Sequence, residues 1–320
     1  MAIGGTRVVA LEEHYWDLEV AKRYTGGDAR GPDVGKRLED LGQLRLREMD
    51  EAGIDLQVIS HANPGVQRMD AATAVPLAQR ANDGLFEMIS AHPDRFAGFA
   101  TLPTPDPKAA ADELERTVTE LGFKGAMVNG PTNGVFFDDK RFWPICERAQ
   151  ALDVPIYLHP AAPHPAVVDV YYGDYLADFP ALQAAAWGFT VDTATQGIRL
   201  ILSGLFEAYP NLKIILGHMG ESLPFSLWRI DQGLARPGNK PIAFREQFCQ
   251  HFYITTSGHF STPALLCCML EMGIDRILFS VDYPFMENVP GTQWAETAPL
   301  SAEDKAKLLN GNATALLRLD

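Results

Sequence analysis

The sequence predicts an α/β chain folded as a (β/α)8 TIM barrel with inserted loops at the C-terminal face of the strands, in one domain over residues 1–320. Three observations carry this expectation. Short β-branched runs alternate with longer helical stretches, the pattern of a parallel sheet wrapped by helices. Eight such runs occur, at residues 7–11, 56–60, 96–102, 125–128, 155–158, 213–216, 252–256 and 277–280, the number that closes a barrel. The 320 residues also accommodate such a barrel of ~250 residues plus extra loops. An open doubly wound sheet is the alternative, since it uses the same alternation without closure.

The helices between the runs carry their own signals. Asp106 and Pro107 read as N-cap and first helical residue, Leu114, Val118 and Leu121 share one face, and Gly122 ends the helix. The last helix opens on a capping box from Ser301 to Asp304 and presents Leu308, Leu309, Leu316 and Leu317 to the core. Two connections, 16–41 and 159–211, are longer than a strand-to-helix turn requires. Loops at the C-terminal ends of barrel strands shape the substrate site, so these two should set specificity.

Composition removes several classes of function. The chain is 47% apolar and 21% charged, typical of a globular protein with a large core. Its formal net charge of −14 and the lack of a Lys/Arg stripe speak against a nucleic-acid partner. The start MAIGGTRVVALEEHYW shows neither a secretory signal nor a spanning helix, so a cytoplasmic protein without a membrane partner is expected. Cys146, Cys249, Cys267 and Cys268 form neither a disulfide framework nor a C-x-x-C zinc pattern. Dinucleotide and phosphate-loop glycine motifs are absent, as is the G-x-S-x-G elbow.

Chemistry-bearing residues gather at strand ends. The first strand ends in L-E-E-H, where residues two apart share a face, so Glu12 and His14 can both face the axis while Glu13 points away. Strand five ends in Y-L-H-P with His159, strand six leads into I-L-G-H-M-G-E with His218, and strand eight leads into F-S-V-D-Y-P-F with Asp282. All four ends open at the mouth where barrel enzymes place their sites. Imidazoles and carboxylates together suit one borderline divalent cation, Zn2+ or Mn2+, with a position left for substrate or water. Glu221, three residues after His218, is placed to orient that imidazole. Arg229, eight residues beyond Glu221, lies about two turns on if the helix is continuous, where a guanidinium can clamp a carboxylate or simply pair with Asp231 or Glu221.

Plainer readings hold elsewhere. His61, His92, His164, His251 and His259 read as loop or surface histidines, with His61 and His259 near enough to strand ends to touch substrate. Trp143, Trp187, Trp228 and Trp294 read as packing residues.

With these residues in place the chain resembles the amidohydrolase-related decarboxylases, in particular those acting on γ-resorcylate (2,6-dihydroxybenzoate) and 2,3-dihydroxybenzoate. The likeness runs through VALEEH, AHPDRFAGFATLPTPDP, LGFKGAMVNG, LDVPIYLHP, SGLFEAYPNLKIILGHMGE, WRID, ITTSGHFST and DRILFSVDYPF, nearly the whole chain. It implies that Glu12, His14, His159 and Asp282 hold one metal ion per chain, that His218 and Glu221 line the site with Asp282 as catalytic groups, and that Asn129 and Arg229 contact substrate. Some members lack the histidine of E-x-H, and His14 groups this chain with those that keep it. Members form dimers or tetramers, which implies a homodimer or homotetramer here. The chain departs from the family at P-A-A-P-H-P after His159, where similar members carry an Arg-Asn pair, and in the 16–41 loop.

The resemblance implies non-oxidative, reversible decarboxylation of a small aromatic carboxylic acid with an ortho hydroxyl, Asp282 carrying a proton to the ring carbon. The rival in chemistry is a mononuclear hydrolase of an amide, lactone or C–C bond. Binuclear members use a carboxylated lysine at strand four, whereas this strand ends at Asn129 and carries its lysine, Lys124, at the start. A non-catalytic binding protein on a barrel scaffold is the rival from another class, disfavoured by the complete ligand set.

Overall fold

The computed structural model describes residues 5–24 and 32–319. Its strands are β1 (Val9–Tyr15), β2 (Leu56–His61), β3 (Phe96–Gly98), β4 (Ala100–Thr101), β5 (Ala126–Asn129), β6 (Ile156–His159), β7 (Ile214–Leu216), β8 (Phe252–Thr255) and β9 (Ile277–Leu278). Only Phe99 separates β3 from β4, so nine segments make eight strands of a barrel. Pairing is parallel throughout, in the orders β1-β2-β3 and β4-β5-β6-β7-β8-β9.

Two seams join these sheets into a ring. At the first, Phe99 N donates to Ile59 O and Ala100 N to Gly125 O, each at 2.9 Å. At the second, Leu11 and Ser280 form a parallel bridge, and Leu11 N donates to Phe279 O at 3.2 Å. An open sheet would leave two edges here, and neither is left.

Alternation along the strands builds two cores. Val9, Leu11, Leu56, Val58, Phe99, Met127, Tyr157, Ile215 and Leu278 fill the barrel interior. Residues of opposite parity, such as Ala10, Ile59, Val128, Leu158 and Leu216, face outward onto Leu114, Leu205 and Leu265 of the surrounding helices. Leu316, Leu317 and Leu319 continue the interior cluster and close the N-terminal end of the barrel. Lys124 Nζ at the foot of β5 fastens that floor by donating to Arg318 O at 3.3 Å.

The helix signals hold in detail. Asp106 Oδ1 accepts from Ala109 N at 3.1 Å at the start of the helix Pro107–Thr119. Ser301 Oγ accepts from Asp304 N at 3.0 Å and donates back to Asp304 Oδ2 at 2.9 Å. The last helix then passes through a π turn, Lys307–Gly311, beside which Leu308 O accepts from Phe279 N at 3.0 Å and ties the helix to the barrel.

The main departure lies in β1, which runs to Tyr15 instead of ending near residue 11. Its polar tail E-E-H broke the β-branched pattern, yet all three residues are fully buried. The long connections are partly helical: Pro165–Tyr171 and Gly188–Leu202 lie in 159–211, while in 16–41 the helices Leu18–Ala21 and Pro32–Glu39 flank residues 25–31, which fall outside the described residues. No described helix is long and apolar enough to cross a membrane.

Because Leu317 is buried in the floor, Leu317→Ala should cost about 2–4 kcal/mol. The urea midpoint should fall accordingly; an unchanged midpoint would show that the floor bears no part of the stability.

Candidate metal centre

The phase of β1 decides whether a site can exist. Val9 and Leu11 face the interior, so uninterrupted alternation would bring Glu13 inward and turn Glu12 and His14 away. Glu12 instead adopts φ +62°, and the register slips so that Ala10 to Glu13 on β1 oppose Gln57 to Ile59 on β2. One extra residue is a β-bulge. It restarts the alternation with Glu12 and His14 on the axis and Glu13 outside.

The other strands deliver their groups more simply. Tyr157 points inward, and His159 follows two residues later. After β9 the same parity runs Leu278, Ser280, Asp282, and Asp282 ends it at φ +73°. After β7 the chain makes a left-handed turn, with positive φ at His218, Met219, Gly220, Glu221 and Ser222. A right-handed helix was expected to bring His218 and Glu221 together. The left-handed turn does so, with His218 Nδ1 donating to Glu221 Oε1 at 2.8 Å.

These elements converge. One ligand atom from each of Glu12, His14, His159 and Asp282 lies within 4.8 Å of the others, close to the roughly 4–4.6 Å that bonds of about 2.0–2.3 Å allow between ligands of one ion. His159 Nε2 stands 3.3 Å from Glu12 Oε1, and His14 Nε2 stands 3.3 Å from Asp282 Oδ1. His218 Nε2 is 3.7 Å from both Glu12 Oε1 and Asp282 Oδ2, beside the four.

The donor set fits a cation. His159 Nδ1 donates to Pro160 O at 2.7 Å, which leaves the Nε2 lone pair facing Glu12 Oε1. Two acceptors then meet in a buried place, a contact that a positive ion resolves. Glu12 Oε1 and Asp282 Oδ1 are both buried without a hydrogen-bond partner. Burial, reinforced by His14, pushes the His159 pKa well below the ordinary histidine range, so it stands neutral as a ligand must.

The remaining groups divide by charge. Burial raises the Glu12 pKa well above the usual carboxylate range. At Asp282 burial acts the same way, but the neighbouring His14 and His218 imidazoles outweigh it and hold the carboxyl well below that range. At His218 burial opposes the charge, while Glu221 and Glu12 outweigh it and hold the imidazole well above its ordinary value. These shifts favour opposite charges on His218 and Asp282, whose facing atoms stand 3.7 Å apart.

Several supports were not foreseen. Tyr157 Oη, one layer below the centre, donates to Glu12 Oε2 and lies 2.9 Å from Thr255 Oγ1. Gly217 permits this approach, since a Cβ there would stand 2.7 Å from Glu12 Oε2. Ser60 Oγ lies 3.3 Å from His14 Nδ1. Tyr157 was detectable, because it precedes His159 by two residues on the same strand face.

The other expected residues scatter. Asn129 ends β5, is 3% exposed, and keeps Oδ1 without a hydrogen-bond partner. Arg229 is exposed on the helix Leu223–Leu234, and the left-handed turn shows that no continuous helix links it to Glu221. Among the described residues no ion pair engages Arg229. His61 is buried and structural, accepting from Asp17 N at 3.1 Å while burial lowers its pKa to about 4. His251 is also buried, stacked on Phe206 at 4.2 Å. His92 is half-buried, His164 is exposed, and His259 is exposed with Nδ1 3.4 Å from His218 O. Trp143 packs on Tyr209 and Trp294 on Phe260, but Trp187 and Trp228 are 50% and 65% exposed.

A family model described as amidohydrolase matches residues 12–319. A γ-resorcylate decarboxylase of Polaromonas sp. (strain JS666) is 43% identical over 328 residues, covering 98% of each chain. The crystal structure of a 2,6-dihydroxybenzoate decarboxylase complexed with 2,6-dihydroxybenzoate superposes with a TM-score of 0.91 at 39% identity, over 98% of this chain and 100% of that one. A dihydroxybenzoic acid decarboxylase from Polaromonas sp. JS666, solved with manganese and the inhibitor 2-nitroresorcinol, gives 0.89 at 42% identity, over 98% and 97% of the two chains.

If the four ligands hold one ion, His159→Ala should lose most bound metal while wild type carries about one ion per chain. Tyr157→Phe, which removes only the hydrogen bond beneath Glu12, should weaken metal binding about tenfold. Elemental analysis and chelator competition check both; two tightly held ions per wild-type chain would contradict the single centre.

Proposed function

The chain belongs to the amidohydrolase family, and from that premise we propose that it is a metal-dependent, non-oxidative decarboxylase of an ortho-hydroxylated aromatic acid such as a dihydroxybenzoate. The observation that carries the reading is the convergence of Glu12, His14, His159 and Asp282 on one buried point at the mouth of the barrel. The reading takes residues 1–320 as one domain and one divalent ion per chain, Mn2+ or Zn2+. Manganese in a similar decarboxylase supports the first.

A divalent ion at this point supplies positive charge that draws in an aromatic carboxylate and favours the ionised form of its ortho hydroxyl. Asp282 accepts the hydroxyl proton and passes it to the ring carbon bearing the carboxylate. The bond from that carbon to the carboxylate then breaks, its electron pair returns to the ring, and carbon dioxide leaves. In reverse, Asp282 removes the ring proton. His218, held by Glu221, supports the ionised state of Asp282 before substrate arrives.

Asn129 and Arg229 complete the reading as substrate contacts. The buried, unpartnered Oδ1 of Asn129 is suited to accept from a phenolic hydroxyl. Arg229 has its fork available for the carboxylate. Exposed Tyr171, Tyr175, Phe179 and Trp187 on the long connection after β6 support association into a homodimer or homotetramer.

Two outcomes are expected on a panel of ortho-hydroxybenzoates. Turnover in D2O should place one deuterium at the former carboxyl carbon, and metal-loaded Asp282→Asn should lose it, because an amide cannot shuttle the proton. Full activity in that variant would remove Asp282 from the proton path, and hydrolysis of amides or lactones without decarboxylation would remove the assignment. Arg229→Met should keep its metal but lower kcat/KM about tenfold or more, with partial rescue by Arg229→Lys. Unchanged kinetics would leave Arg229 a surface residue.

A further inference from the structure

The bulge that turns Glu12 and His14 inward also interrupts the backbone ladder between β1 and the chain after β9. Along that seam Leu11 N still donates to Phe279 O at 3.2 Å, and His14 N to Tyr283 O at 2.7 Å. The amides of Val281 and Tyr283 donate instead to the Glu13 carboxylate, at 2.9 and 3.1 Å, with Ser280 Oγ at 3.4 Å. One side chain thus takes over the ladder on both sides of Asp282.

Glu13 is fully buried, and a buried carboxylate needs an opposite charge. Arg45, on the helix Gln43–Ala52 and equally buried, carries one that acts on Glu13 through space while its fork bonds other groups. Its Nη2 donates to His14 O, its Nη1 to Gln57 Oε1 at 3.2 Å, and its Nε to Asp40 O at 3.2 Å. The guanidinium also lies 4.6 Å from the centre of the Tyr283 ring. The same cation therefore grips the carbonyl of one ligand residue and the neighbour of another.

We propose that Glu13 and Arg45 are positioning residues of the metal centre. They act from behind β1, fixing the spacing between His14 and Asp282, whose facing atoms stand 3.3 Å apart. Neither touches substrate or reacting atoms. The proposal rests on the metal-centre reading, and a drift of about half an ångström between ligands is enough to weaken a site of this kind.

The test is Mn2+ affinity by chelator competition, with urea midpoints measured in parallel. Glu13→Gln keeps shape but turns an NH2 toward backbone donors, and Arg45→Lys keeps charge but loses the planar fork. Both should bind Mn2+ about ten- to a hundredfold more weakly. Leu317→Ala, at the opposite end of the barrel, should lose stability yet keep wild-type affinity. Wild-type affinity in folded Glu13→Gln and Arg45→Lys would overturn the proposal, as would an equal loss of affinity in Leu317→Ala. If Glu13→Gln does not fold, Arg45→Lys alone decides. A wild type that binds Mn2+ no better than His159→Ala would overturn the metal reading itself, a distinct result.

Discussion

Holding two carboxylates, Glu12 and Asp282, against one buried point is the constraint around which the barrel mouth is arranged. Like charges in a poorly solvated place repel by several kcal/mol at an effective dielectric near 20, so their approach requires positive charge or donors among them. His14, His159 and His218 stand between and beside the two carboxylates, while Tyr157 and Thr255 approach Glu12 from below. Two carboxylate oxygens nevertheless keep no hydrogen bond of their own. That residual demand is what a divalent ion meets.

The backbone bears part of the cost. Glu12, His218, Glu221 and Asp282 all sit at positive φ, a region that costs a non-glycine residue roughly 1–2 kcal/mol. Such conformations persist only where surrounding contacts over-determine them. Here those contacts include the ladder beside the bulge, the buried Glu13 and Arg45, and the His218–Glu221 hydrogen bond. Three of these residues, Glu12, His218 and Asp282, aim into the centre, while the interior below it is an apolar packing of alternating side chains.

The walls formed by the long connections have a different physical basis from the centre. The ligands come from strand ends, whereas a cavity of about 510 Å3 is lined by connections, residues 162–165 of the P-A-A-P-H-P segment together with Phe136, Val168 and Asp192. Burial raises the Asp192 pKa to about 6, so this wall keeps its negative charge at neutral pH and loses it only on mild acidification. A scaffold that fixes strand ends while leaving loops variable is how one fold hosts different functions.

The sequence by itself determined the alternation of strands and helices, the helix caps at Asp106 and Ser301, and the candidate ligands Glu12, His14, His159 and Asp282, because periodicity and strand-end position are local properties of the chain. It also made the pairing of His218 with Glu221 legible from spacing alone. Only the tertiary structure decided how those groups are aimed. The bulge at Glu12 depends on pairing with β2, and the left-handed turn after β7 replaces the helix that spacing suggested, so Arg229 lost its expected link to Glu221. His61 and His251, read as loop or surface histidines, proved buried, with partners Asp17 and Phe206 that lie 44 and 45 residues away in the chain. Gly217, Glu13 and Arg45 acquired their roles in the same way: each acts on a residue from another strand or helix, and no local pattern of the chain records those contacts.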